Sequence, residues 1–215
     1  MSLSLRTLSA VVLMLALGAC ASREGELDPT GGIRAARSAC PAVGVPASTG
    51  DITLFDPPQS RDARAIDVTA VITNLRTTCD ETGAEVVATT SFDVQARRRD
   101  TAAPREVVLP YFVTVVRGGN VVVAKRISRV AISFAAGQDR ATATAQGSSV
   151  IARSAATLPE DVRKQITRKR KAGEEDAAID PMSEPAVRAA VARASFELLV
   201  GFQLTPDQLQ YNATR

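Results

Sequence analysis

The chain has 215 residues, 26 Lys and Arg against 23 Asp and Glu, and neither His nor Trp. A net charge of +3 is too small to argue for a nucleic-acid partner, and the missing imidazole excludes Ser-His-Asp and Cys-His nucleophile systems along with the commonest metal ligand. With 45% apolar residues but few aromatics, one core of ordinary size is expected, built from Val, Ile, Leu and Ala.

The first element is a secretory signal: Arg6, an apolar run over residues 8–17, then Leu17-Gly18-Ala19-Cys20. Ten to twelve apolar residues are too few to span a bilayer. Small residues running directly into a cysteine resemble the bacterial lipobox, the signal whose cysteine is acylated and becomes the first mature residue. The resemblance implies cleavage after Ala19, a lipid on Cys20 and a membrane-held protein, since each buried acyl methylene contributes about 0.8 kcal/mol. A plain secretory signal cut at Ala19 or Ala21 is the alternative. Ala21, where Asp would favour the inner membrane of Gram-negative bacteria, implies the periplasmic face of the outer membrane. Loss of residues 1–19 leaves 25 basic and 23 acidic side chains.

Residues 20–38 have almost nothing apolar to bury and read as a flexible tether; the domain is expected over 39–212. Cys40 and Cys79 are the remaining cysteines. In an oxidising compartment they form a disulfide most simply, with two free thiols as the alternative. Two Cys and no His make a poor zinc set, so no metal is expected. After an extended, Pro-containing segment at 40–47, strands are expected at 52–55, 66–79 and 86–96, the last two from apolar alternation. Residues 107–116 are apolar on both faces, as a central strand would be. Arg117-Gly118-Gly119-Asn120 is a hairpin signal, because the glycines supply the positive φ that a tight turn needs. The returning strand, 121–134, should point Val122, Ala124, Ser128, Val130, Ile132 and Phe134 inward. Lys125, Ile127 and Arg129 would face the other way. A Thr- and Ala-rich strand at 142–152 follows.

Helical signals begin at Leu158-Pro159, with Glu160 and Asp161 in a first turn. After a charged break at 171–180, Ser183 would cap a second helix with Val187, Ala190, Val191 and Ala194 on one face. Residues 195–204 alternate again, and Thr205-Pro206-Asp207 starts one final turn through Leu209 and Tyr211. Strand after strand without intervening helices argues antiparallel pairing. The expected architecture is an immunoglobulin- or fibronectin-like β-sandwich of about seven strands, with a helical insertion at 159–194 before the last strand. A small barrel is the competing architecture.

Cys40-Pro41, Leu109-Pro110-Tyr111-Phe112 and the ending Val200-Gly201-Phe202-Gln203-Leu204-Thr205-Pro206, with Tyr211-Asn212, together resemble a group of alphaproteobacterial lipoproteins. The resemblance covers most of 40–135 and 195–212. It implies an envelope lipoprotein and brings no activity with it.

Catalytic patterns are missing. None of Lys125, Lys164, Lys169 and Lys171 sits in a Ser-x-x-Lys spacing, and no Walker loop or Rossmann glycine pattern occurs. The sequence therefore predicts a non-enzymatic binding or scaffolding module for another envelope component, without cofactor. Two places could make contact. One is the basic run Arg163, Lys164, Arg168, Lys169, Arg170 and Lys171, six cations in nine residues. It could meet anionic lipid, lipopolysaccharide or peptidoglycan, or be a solvated helix whose basic end complements the helix dipole. The other is a sandwich edge with its loops, including the Gly118-Gly119 tip and Arg97-Arg98-Arg99, where strand addition commonly occurs.

Overall fold

The structure, a computed structural model, describes residues 38–168, 173 and 179–214. It is mainly β: eight strands in two four-stranded sheets. The strands are β1 (Ala42–Gly44), β2 (Asp51–Phe55), β3 (Ile66–Asp80), β4 (Glu85–Arg98), β5 (Arg105–Arg117), β6 (Val121–Phe134), β7 (Arg140–Ala152) and β8 (Phe196–Phe202). One sheet runs β1-β8-β5-β6, the other β2-β3-β4-β7. All pairs are antiparallel except β1 with β8. Helices α1 (Glu160–Thr167) and α2 (Pro185–Arg193) lie between β7 and β8 in sequence, and α3 (Pro206–Thr214) follows β8.

The eighth strand is β1, inside the segment expected only to be extended. Three residues are too few to show a period, and its pairing with Glu197–Leu199 of β8 is a long-range contact that no local pattern signals.

Period-two patterning sets the core. In β4, Val86, Ala88, Thr90, Phe92, Val94 and Ala96 are all buried, and β8 turns Phe196, Leu198, Val200 and Phe202 inward. Phe92 and Tyr111 meet edge to face at 5.3 Å, joining one sheet to the other. Each large apolar side chain so buried stabilises the fold by about 1.5–3 kcal/mol relative to exposure.

The strand register gives the sandwich two distinct ends. At the entry end, Cys40 bonds Cys79 (Cα–Cα 6.2 Å). The β3–β4 turn, the β5–β6 hairpin tip, the end of β7 and the start of β8 lie at this same end. Ala39 N–H donates to Glu81 Oε2 at 2.7 Å and Ser38 Oγ donates to the same oxygen at 3.0 Å. At the far end, Arg105 of β5 clasps Asp67 of β3 in a two-pronged pair at 2.8 and 2.7 Å, tying the sheets together.

Arg98, expected to contribute to a contact loop, is instead buried at 3% exposure. Its guanidinium donates to the carbonyls of Gln138 (2.9 Å), Ala103 (2.7 Å) and Ala135 (2.8 Å) and lies over the Phe134 ring at 5.1 Å. Arg97 pairs with Asp139 at 3.2 Å. The arginine cluster is thus largely a staple between two far-end loops.

Two local readings change. Ser183 does not cap α2. It closes a short 3-10 turn, Pro181–Ser183, capped by Asp180, whose carboxylate accepts from Met182 N–H; α2 then begins on Pro185 with Glu184 at the cap position. Helix α3 is nine residues long rather than one turn. Thr205 and Gln208 cap each other reciprocally there, while Asn212 Nδ2 donates to the carbonyls of Ser48 and Asp51.

Candidate functional site

The strand β6 is where sequence expectation and structure diverge most. It is an edge strand, hydrogen-bonded to β5 alone within its sheet. Val130, Ile132 and Phe134 are buried as expected, but all of residues 121–129 are exposed, including Val122, Ala124 and Ser128 from the expected inward set. The reason lies in the facing sheet. Gly147 of β7 sits so tightly on Val113 of β5 that a Cβ there would fall 2.4 Å from Val113 Cγ2. Tyr111 Oη of β5 also reaches the Gln146 carbonyl at 2.9 Å. Strand β5 therefore closes onto β7 at Tyr111 and Val113, and beside that contact the first part of β6 does not pack into the core. A bulge beside Val123, where Val115 pairs Ala124 but Val116 pairs Val122, further breaks the alternation.

The exposed stretch is both apolar and basic. Val121, Val122, Val123 and Ile127 are 47%, 61%, 54% and 58% exposed. Lys125, Arg126 and Arg129 interleave with them, and the sequence has no acidic residue between Glu106 and Asp139. Lys125 Nζ rests over the Phe112 ring at 5.0 Å. Among the described residues, no carboxylate lies within ion-pair distance of Lys125, Arg126 or Arg129. Between β6 and β7 opens a cleft lined by Tyr111, Val113, Arg126, Ser128, Gln146 and Gly147. The hairpin tip has Gly118 and Gly119 at φ 63° and 82°, as the turn requires.

The carboxylates held below their ordinary range lie elsewhere. Hydrogen bonds from Arg105 lower Asp67 most, and Asn74 and then Thr144 lower Asp93. Asn74, at φ 55°, occupies a bulge in β3 and donates to Asp93 Oδ2 at 2.6 Å. These groups fasten strands.

Of the residues singled out in the sequence, Cys40 and Cys79 are joined. Cys20 and the tether up to residue 37 lie outside the described residues, as do Lys169, Arg170 and Lys171. Arg163, Lys164 and Arg168 are exposed on or beside α1. Lys164 pairs with Glu160 at 2.9 Å, and Gln165 bonds Glu184. Among the described residues, no helix is long and apolar enough to cross a membrane.

The motif residues that carry the lipoprotein resemblance have structural work. Cys40 is disulfide-bonded, Leu109 and Phe202 are in the core, and Tyr111 bridges the sheets. A side chain at Gly201 would strike Phe112 and Thr49. Tyr211 packs edge to face on Phe55 at 5.2 Å. No protein-family model, curated protein or solved structure matches the chain.

Proposed function

We propose that this chain is a lipoprotein, acylated at Cys20, whose sandwich domain works in the periplasm as a non-enzymatic binding or scaffolding module for another envelope component. The outer membrane is the proposed site of anchoring, on the strength of Ala21. The observation that carries the binding reading is the exposed apolar and basic edge of β6. An edge with unpaired backbone groups is a ready template for another chain. Kinship with the lipoprotein group of alphaproteobacteria is part of the same reading. An immunoglobulin-like character is proposed for the layering alone, since the order β2-β3-β4-β7 with β1-β8-β5-β6 is not that of immunoglobulin sheets.

The test is metabolic labelling with a palmitate analogue, comparing wild type with Cys20→Ala and fractionating the membranes, followed by crosslinking in cells with a reagent that enters the periplasm. Label lost in the variant, with wild type in the outer membrane and a specific crosslinked protein, is the expected result. Unlabelled protein, free in the periplasm, overturns the anchor.

A second reading has its own support. Helix α1, with Arg163 and Lys164, follows closely on the end of β7, at the end of the sandwich where the chain enters. A basic segment there suits contact with anionic lipid or glycan phosphates, at about 1 kcal/mol per cation near an anionic surface. Charge reversal within 163–171 that leaves vesicle or peptidoglycan binding unchanged sinks this reading.

A further inference from the structure

We infer that β6 accepts, by strand addition, an extended segment of a partner protein that alternates apolar and acidic residues. This rests on the binding-module reading and names the partner's chemistry.

Three observations converge. First, residues 121–129 form the outermost strand of their sheet, and both faces are exposed. Nine residues offer about 30 Å of ladder to a newcomer. An added strand would cover Val121, Val122, Val123 and Ile127, and its inner face would enter the cleft between β6 and β7. Second, the charges on this edge have one sign. Lys125, Arg126 and Arg129 stand without a nearby carboxylate among the described residues. Acidic side chains on one face of the incoming strand would pair across the ladder with Lys125 and Arg129, which share a face of β6, while Arg126 adds to the same field from the cleft side. Third, the same charges argue against a second copy of this chain. Antiparallel pairing of two β6 edges centred on Ile127 would set Lys125 of each copy opposite Arg129 of the other, and like charges set opposite one another destabilise a sheet. Edge charges, an inward-pointing one such as Arg126 among them, are a known device against indiscriminate edge pairing. Here they leave open only a partner of opposite charge.

The experiment uses the full-length chain in detergent and a nine-residue peptide alternating valine and glutamate. Two control peptides accompany it: one with lysine in place of glutamate, and one with the same charges but alternate backbone nitrogens methylated. The readouts are affinity and hydrogen exchange across residues 121–129. The expected result is saturable binding of the acidic peptide with slowed exchange in that stretch. Affinity should fall at least tenfold in the triple variant Lys125→Glu, Arg126→Glu, Arg129→Glu, and the methylated peptide should bind at least tenfold more weakly. Equal binding of the methylated peptide would overturn strand addition in favour of simple charge attraction. Binding only to anionic vesicles, concentration-dependent self-association through β6, or no slowing of exchange would each overturn the proposal. A partner crosslinked in cells through a different surface would overturn it too, while leaving the binding-module reading intact.

Discussion

Removing the disulfide should weaken the domain by about 4 kcal/mol. Cys40 and Cys79 are 39 residues apart, and a crosslink closing a loop of that size removes roughly that much chain entropy from the unfolded state. The native contacts around the bond survive its removal in part, because Glu81 still accepts hydrogen bonds from Ala39 N–H and Ser38 Oγ. The crosslink's own contribution is therefore carried chiefly by the unfolded chain. The perturbation is the double variant Cys40→Ser, Cys79→Ser in a Cys20→Ala background, which leaves no third thiol to exchange. Urea unfolding followed by far-UV circular dichroism is the assay. For a domain of this size m is about 2 kcal/mol/M, so the midpoint should fall by about 2 M with m nearly unchanged. A fall of less than about 0.5 M would refute the reasoning. It would mean either that the unfolded chain is already compact around this loop or that the two thiols are unbonded in solution; free-thiol titration separates these.

Three further outcomes follow from the geometry. Arg98→Met keeps the aliphatic stem on Phe134 but removes the donors to the Gln138, Ala103 and Ala135 carbonyls; bonds from a charged donor contribute about 1.5–3 kcal/mol each and do not add fully, so a loss of about 3–4 kcal/mol is expected. Urea unfolding checks it, together with faster hydrogen exchange at 99–104 and 135–139; a loss below about 1 kcal/mol would mean that burying the cation costs nearly what its bonds return. Asp67→Asn should lower stability at neutral pH, and the gap from wild type should close on acidification. Arg105 holds the Asp67 carboxyl below its ordinary range in the folded state, so its contribution is complete above the unfolded pKa and vanishes as pH falls through the folded one. Melting temperatures from pH 7 down to about pH 2 test this, and a gap that stays constant across the series refutes it. Gly147→Ala should destabilise by about 1–3 kcal/mol, since the new methyl overlaps Val113; a neutral result by thermal melting would show that β7 can retreat.

Much of this fold is legible in the sequence, because the pattern that stabilises a strand is also the pattern one reads. The buried series of β4, from Val86 to Ala96, and of β8, from Phe196 to Phe202, alternates in the sequence just as it does in the sandwich. The glycine hairpin and the helix starting after Pro159 are local and equally plain. What stays hidden is set by other parts of the chain. Arg98 reads as one of three loop arginines, and only the closure of residues 135–138 around it makes it a staple. The bulge at Asn74 is marked by no more than an Asn in a strand, and the disulfide partner of Cys40 is inferred by counting rather than by geometry.

The exposure of the first part of β6 is the instructive departure from the sequence pattern, since it falls on the proposed binding surface. Alternation reports which side chains share a face; it does not report whether a second layer stands opposite that face. Ala124 and Ser128 share a face with Val130, Ile132 and Phe134 yet stay exposed beside the Gly147–Val113 contact, while the bulge at Val123 turns Val122 to the opposite face. The signal for this was present in two separate places. One is the run Ala143, Ala145, Gly147 and Ser149 along β7, too small to fill a broad interface. The other is Lys125, Arg126 and Arg129 in a strand that would otherwise pass as core. Small residues on one edge and unbalanced cations on the facing edge mean that the sandwich does not close on itself there. A strand so charged is protected from its own copies, and the surface it leaves open is matched in kind by acidic, extended chain.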